Sequence, residues 1–344
     1  MSTQLTAASP LHLGIATEET WGFFNEIYAD LTQHYATSLF TRRTWPLPVF
    51  HARVNRMLFR HDLQSFLDRN DVTFFEWASG LLAAASRLPK HRGIVTRLHR
   101  YELYQWADRI NWDAVDKVVV ISRGKQAEFV ARFPEQAHKV VASRPSIPLS
   151  KFTPQPKTFG GDIGTLCQLH PRKRVYDLIL AFYELSRQRD GLHLHIGGSH
   201  EPAQQDYYDA LLYLIAQLGL EEKVTLYGHV ADTATWLQQL DVFVSNSYSE
   251  GLQVAPMEAM ASGCYCLSHA WFGADELLPA ANLFVTGGEL QAKILRYCDM
   301  TEAERQRERA HMRAIACREF DVEDVKVQLR AVLDEVGARY AKVL

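Results

Sequence analysis

Residues 245–279 read SNSYSEGLQVAPMEAMASGCYCLSHAWFGADELLP. Two carboxylates, Glu250 and Glu258, flank Pro256, and a run of small residues closes on Gly263. Proline is favoured at the first helical position, where its missing N–H needs no partner and its φ is already set. Glycine just past a helix takes left-handed backbone without a Cβ clash. The stretch predicts a short helix opened by Pro256 and ended by Gly263. Glu250 then sits on the preceding loop and Glu258 in the first turn. Both acceptors stand near free N–H groups and the positive end of the helix dipole, which favour an anionic ligand. A ligand with an anionic middle and hydroxyls at both ends suits this arrangement, as a nucleotide-sugar does.

Working upstream, residues 166–182 read LCQLHPRKRVYDLILAF. A strand ends at Leu169, a basic turn runs from His170 to Arg174, and an amphipathic helix follows. Basic side chains and free amides converge there, where a diphosphate can sit. Gly197–Gly198 follows another apolar strand, and such glycines allow close approach to backbone.

The same alternation of β-rich and helical runs extends along the chain and argues for α/β architecture with parallel sheets. In the first half, Leu11–Ala16, Thr37–Thr41, Val72–Glu76, Gly93–Leu98 and Lys117–Ile121 read as strands. Thr20–His34, Val49–Leu67, Gly80–Leu88 and Arg123–Phe133 read as helices. SRPSIPLSKFTPQPK, residues 143–157, carries four prolines and reads as a linker. Beyond it, strands at Ile163–Leu169, Leu192–Ile196, Lys223–Tyr227, Val242–Ser245 and Tyr265–Ser268 alternate with helices at Lys173–Arg187, Pro202–Leu218 and Thr233–Leu240. Two helices follow, Ala303–Phe320 and Val322–Tyr340.

The pattern E-x7-E followed by A-M-A-S-G resembles the signature of retaining GT-B glycosyltransferases of the family 4 type, the glycosyl transferases group 1. Glu250, Gly251, Glu258, Ala259, Met260, Ala261 and Gly263 match it; Gln253 stands where the family has Gly. Upstream, Leu169, Pro171, Lys173, Leu178, Ile179, Ala181 and Phe182 match a second family segment. There Gln168 replaces the family's Arg, and Arg174 replaces a Gly.

The resemblance implies a GT-B fold: two doubly wound, Rossmann-like domains facing a central cleft. The expected domains are 1–142 on the acceptor side and 158–320 on the nucleotide-sugar donor side, with 143–157 between them. Residues 321–344 are expected to form a helix crossing back to the first domain. Glu250 is expected to hold sugar hydroxyls and Glu258 the ribose. Lys173, with Arg172 or Arg174 for the lost arginine, would meet the diphosphate together with amides near Gly251 and Leu252. Backbone around Gly228, His229 and Val230 would contact the base, and Gly198 would let the donor approach. His99, in VTRLHRYE, would face the donor sugar. The family's Gly-Gly loop after the first strand is replaced by Ala16–Thr17–Glu18–Glu19–Thr20.

Length and composition fit this reading. The chain has 344 residues, 47% hydrophobic and 22% charged, which suits two globular domains. No D-x-D occurs, so the metal-dependent glycosyltransferases of the other common fold are disfavoured, and no metal or other cofactor is expected. There is no P-loop, G-x-G-x-x-G, G-x-S-x-G or HExxH pattern. Five cysteines without metal-ligand spacing read as reduced thiols. The N-terminus has no signal-peptide pattern, and no apolar run is long enough to span a membrane, so a cytoplasmic protein is expected.

Net charge is −3, yet residues 1–150 carry 18 Lys and Arg against 14 Asp and Glu. A basic first half suggests an anionic partner; no nucleic-acid-binding pattern supports nucleic acid. Residues 42–61, RRTWPLPVFHARVNRMLFRH, interleave Arg42, Arg43, Arg53, Arg56 and Arg60 with Trp45, Phe50, Met57 and Phe59. That segment reads as a contact for an anionic membrane or acceptor, or as an ordinary helix with a solvated basic face. The function expected is transfer from a nucleotide-diphosphate-sugar to a hydroxyl acceptor: a glycan, a lipid-linked acceptor or a small molecule. A non-hydrolysing nucleotide-sugar epimerase of the same fold, or a non-catalytic nucleotide-sugar-binding partner, are the alternatives.

Overall fold

In the computed structural model, residues 11–22, 24–43 and 51–340 are described, the side chains of 51–53 excepted. They divide into two units, one of the described residues up to 144 together with those from 323 on, the other of residues 145–322.

Unit 1 is a six-stranded parallel sheet in the order β2-β1-β3-β4-β5-β6. Its strands are β1 His12–Ala16, β2 Ala36–Leu39, β3 Val72–Phe75, β4 Gly93–Leu98, β5 Lys117–Val120 and β6 Val140–Ala142. The helices between them are α1 Asn25–His34, α2 His51–Arg69, α3 Gly80–Ala85, α4 Arg100–Gln105 and α5 Arg123–Arg132. Every residue of β3 and β4 is buried. A parallel sheet covered on both faces demands continuous apolar runs rather than alternation, and VTFF supplies one.

Unit 2 repeats the plan with a parallel sheet in the order β12-β11-β10-β7-β8-β9. Its elements begin β7 Asp162–Leu166, α6 Val175–Ser186, β8 His193–Gly197, α7 Gln205–Gln217, β9 Val224–Gly228 and α8 Thr233–Gln238. They continue with β10 Val242–Ser245, α9 Val254–Ala261, β11 Tyr265–His269, β12 Leu283–Phe284, α10 Gly287–Asp299 and α11 Glu302–Glu319. One face packs Leu194, Ile196 and Val244 against α6, α7 and α10. The other packs Phe243 and Cys266 against α8, α9 and α11. The chain order reverses between β7 and β10, the switch point where doubly wound sheets open a crevice at their strand ends.

The proline-rich stretch read as a linker is packed. Pro145 onward belongs to unit 2, with Ile147 paired to Asp321 and Phe152 buried in its core. The helix α12, Val322–Tyr340, lies almost wholly in unit 1, where Leu333 and Val336 are fully buried. Val336 presses so closely on Gly93 that a Cβ there would stand 2.7 Å from its methyl.

Candidate functional site

The site in unit 2 grows from the two strands beside the switch point. After β7, Pro171–Lys173 make one tight turn. His170 caps it, its Nδ1 accepting from the Arg172 amide at 3.1 Å. Arg174 then adopts left-handed backbone, φ 52° and ψ 39°, before α6 begins. No other non-glycine residue among those described has positive φ. This is the position where a glycine was expected, and the reason is now visible. Asn246, just past β10, steadies the turn by donating to the Arg174 carbonyl at 3.0 Å.

The loop after β10 folds over this turn. The Tyr248 amide donates to the Arg172 carbonyl at 3.3 Å, and the Arg172 guanidinium donates to the Ser249 carbonyl at 2.7 Å. Glu250 then receives two cations. Its Oε1 lies 2.7 Å from Lys173 Nζ and 2.5 Å from Arg172 Nη1. Burial alone would raise the Glu250 carboxyl, but the charges of Lys173 and Arg172 outweigh it and hold the group at about 2. Lys173, Arg172 and Glu250 are thus brought together, with two positive charges to one negative.

Gly251 and Leu252 continue from Glu250, and the Leu252 side chain is buried in the core. Gln253 bridges the loop: its Oε1 accepts from Ser245, and its Nε2 donates to Ser247 at 3.0 Å. The side chain that replaces the expected glycine is therefore spent on fixing the loop. Gln168, in place of the expected arginine, donates to Glu201 at 2.7 Å.

The helix boundary needs correction. Helix α9 starts at Val254, and Pro256 is its third residue. The first four N–H groups of a helix have no partner within it, so proline is tolerated there as well. Glu258 accordingly lies in the second turn rather than the first. Gly263 ends the helix with φ 86°, as read. The Glu258 carboxylate has no hydrogen bond or ion pair with any described residue, and burial pushes it up to about 7.

Gly198 and Gly228 meet at the ends of β8 and β9, the Gly198 amide donating to the Gly228 carbonyl at 2.7 Å. Gly198 has φ 125°, and a Cβ on it would stand 1.7 Å from the Cys167 carbonyl oxygen. Its glycine is required by that backbone crossing, not by open space for a ligand. Gly228, with φ 64°, has nothing near its Cβ position; His229 is exposed, and Val230 is partly buried against the core.

His99 belongs to unit 1, at the end of β4. Its ring stacks on Trp77 at 4.1 Å between centroids, and its side chain is 14% exposed. Nε2 lies 3.4 Å from Glu76, which also pairs with buried Arg97 at 3.1 Å. Glu102 is fully buried and accepts from the Ala78 amide at 3.3 Å; burial raises its carboxyl. Tyr101 donates to Glu19 at 3.2 Å, so the acidic loop after β1 joins the same cluster. Trp77 and Arg97 carried no spacing signal in the sequence.

Of the basic segment 42–61, Arg42 pairs with Glu18 at 2.8 Å and Arg43 pairs with Asp62. Arg56 and Arg60 are exposed. Trp45, Phe50 and the Arg53 side chain lie outside the described residues. Among the described residues, no group of three or more His, Cys, Asp or Glu is placed to hold a metal ion, and no helix is long and apolar enough to cross a membrane.

Residues 160–299 match the family model of glycosyl transferases group 1. Unit 2 carries a group 1 glycosyltransferase domain. Solved structures extend the likeness to the fold of the whole chain. The Anabaena protein HepE, crystallised with UDP and glucose, superposes with a TM-score of 0.75 at 19% identity, covering 95% of this chain and 100% of its own. Sucrose-phosphate synthase from Thermosynechococcus elongatus gives 0.75 at 14% identity, covering 96% and 100%. A glycosyltransferase from Rickettsia africae gives 0.74 at 12%, covering 95% and 99%. No curated protein sequence matches the chain. A group 1 domain on the GT-B fold makes this chain a glycosyltransferase.

Proposed function

We propose that this glycosyltransferase is retaining and metal-independent, and moves a sugar from a nucleotide-diphosphate-sugar to a hydroxyl acceptor in glycan or glycolipid biosynthesis. The observation that carries the reading is the convergence of Lys173, Arg172 and Glu250 at the switch point of unit 2. The cluster has one cation in excess, which suits a diphosphate beside it. Glu250 keeps acceptor lone pairs for sugar hydroxyls. Glu258, with no partner among the described residues, is suited to receive ribose hydroxyls. Gly228, His229 and Val230 are assigned to the base and His99 to the donor sugar.

In the reaction, the bond from the anomeric carbon to the diphosphate breaks while the acceptor oxygen attacks from the same face. The acceptor's proton passes to a phosphate oxygen of the departing nucleotide. Negative charge builds on that diphosphate, and Lys173 and Arg172 stabilise it without reorganising. Fixed charge placed where charge develops is usually the largest catalytic term. This scheme gives no step to a metal ion. Peripheral contact with an anionic membrane, through residues 42–61 on the cytoplasmic side, belongs to the same proposal.

A panel of UDP-, GDP- and ADP-sugars scored by thermal shift tests it, because a ligand that binds the folded state stabilises it. UDP-glucose is the first donor to try, since HepE was crystallised with UDP and glucose. Turnover with the donor found should persist in excess EDTA. Loss restored by Mg²⁺ or Mn²⁺ would overturn metal independence. Binding without turnover on any acceptor would favour a non-catalytic role.

A further inference from the structure

A groove of about 400 Å³ crosses the surface of unit 1 between α2, α3 and the turn that follows α4. Its floor is apolar, formed by Ala84 and Leu88 above fully buried Leu63. Trp106 makes one wall, and Gly80 at the start of α3 lets it lie close: a Cβ there would meet the indole at 3.1 Å. The rim carries Arg60, Arg87 and Arg109, all exposed.

Among the described residues, these three arginines have no carboxylate partner. Arg87 donates to the Arg109 carbonyl at 2.9 Å, and the Arg109 guanidinium lies 4.9 Å from the Trp106 ring centroid. Among the described residues, no acidic residue lines the groove. The acids next to its lining residues in sequence are engaged elsewhere, Asp62 by Arg43 and Asp108 by Arg132. An apolar trough edged by uncompensated guanidinium groups is complementary to an anion attached to an apolar body. Guanidinium forks bind phosphate oxygens in pairs, and an indole suits the boundary between apolar and wet surroundings. A free phosphate or a sugar would leave the floor unused. The outward face of α2 continues the pattern past Arg60, with exposed Arg56 and with Met57, which is 68% exposed.

We propose that this groove docks an anionic phospholipid of a membrane surface, its phosphate held by Arg60, Arg87 and Arg109 and its apolar part on Ala84, Leu88 and Trp106. The site lies wholly in unit 1 and uses no residue assigned to the donor. It supplies a specific seat, largely outside residues 42–61, for the membrane contact proposed above.

The test is co-sedimentation of the full chain with vesicles of mixed phosphatidylglycerol and phosphatidylcholine, against phosphatidylcholine alone. The wild type should bind only the anionic vesicles, and less as salt rises. Reversing two charges, in R87E/R109E, should weaken partitioning by roughly tenfold or more. R87K/R109K keeps the charge and should retain most binding. Ala84→Glu leaves every arginine in place, puts a carboxylate in the floor, and should also weaken binding. Thermal shift with the nucleotide-sugar donor, none of whose assigned contacts is altered, should be the same in all of them. Should R87E/R109E lose that shift too, Ala84→Glu and R87K/R109K decide. The proposal is overturned if the wild type binds neither vesicle or both alike, or if R87E/R109E and Ala84→Glu both bind as the wild type does. Displacement from vesicles by equimolar glycerol 1-phosphate would instead make this a free-phosphate site and also overturn it.

Discussion

Lys173 Nζ lies 2.7 Å from Glu250 Oε1, so a cation carried past the end of β7 meets an anion carried past the end of β10 where the sheet order reverses. A lysine held in this way is preset for an anionic ligand. It interacts with a ground-state diphosphate, and more strongly as the glycosidic bond breaks. Lys173→Ala should therefore lower kcat more than it raises donor KM, by on the order of 10²–10³. Lys173→Arg should restore only part of the rate, because a planar fork is not a point charge. Steady-state kinetics with the donor varied checks this; a change confined to KM removes Lys173 from the chemical step.

Glu250 makes stability depend on acid. Against the cost of its burial, Lys173 and Arg172 lower its carboxyl from 4.5 to about 2 in the folded chain. The unfolded chain then binds the proton first as pH falls. The stabilisation is complete above 4.5 and drains away between 4.5 and about 2, amounting to about 3 kcal/mol at most. Glu250→Gln should lose most of it at neutral pH and flatten the acid limb. Urea unfolding of both proteins across that range measures it, and an unchanged acid limb in the mutant would reject the assignment.

Glu258 works in the opposite sense. Burial raises its carboxyl from 4.5 to about 7. The folded state holds the proton more tightly, so stability falls as pH rises from 4.5 through 7, by up to about 3 kcal/mol. Glu258→Gln should be the more stable protein at pH ~8, and that advantage should shrink as pH falls. If the carboxylate accepts ribose hydroxyls, nucleotide affinity should rise with pH up to about 7 and then level off. The mutant should bind less tightly by about 1.5–3 kcal/mol and show no such rise. Calorimetry at several pH values tests both, and a nucleotide affinity indifferent to the mutation would sink the ribose assignment.

Arg174 allows a test of backbone alone. Left-handed backbone at a residue with a Cβ costs roughly 1–2 kcal/mol. Arg174→Gly and Arg174→Ala both remove the guanidinium, but only glycine relieves that cost. The glycine variant should be the more stable by about 1 kcal/mol in urea, after the flexibility it adds to the unfolded chain. Equal stabilities would contradict the left-handed turn. If both variants keep the donor's thermal shift, Arg172 rather than Arg174 takes the place of the arginine lost at Gln168.

Much of the fold was legible because parallel strands covered on both faces need unbroken apolar runs. VTFF at β3, KVVV at β5 and VFVS at β10 were all found on that signal. The short strands β6 and β12 were not, having too few residues to form a pattern. Helix α10 was missed because Gly287 and Gly288 stand where a helix former is expected. Its readable sign was the capping pair Thr286 and Glu289, which the structure forms in both directions. In the site, Glu250 and Lys173 were each visible on their own. Their pairing was not, since it depends on β7 and β10 being neighbours across the 75 residues between Leu166 and Val242. The Ser245–Gln253–Ser247 bridge was hidden for a different reason: three common polar residues show no periodicity.

The placement of α12 has a consequence for synthesis. Unit 1 is assembled from two stretches of chain with the whole of unit 2 between them. Its sheet is laid down first, yet Leu333 and Val336 leave the ribosome only after unit 2 has been made. Unit 2 is continuous and holds all of its own strands. The nascent chain therefore completes its second-made unit before its first-made one. Until α12 arrives, the start of β4 at Gly93, in the middle of the sheet, lacks the cover that Val336 gives it.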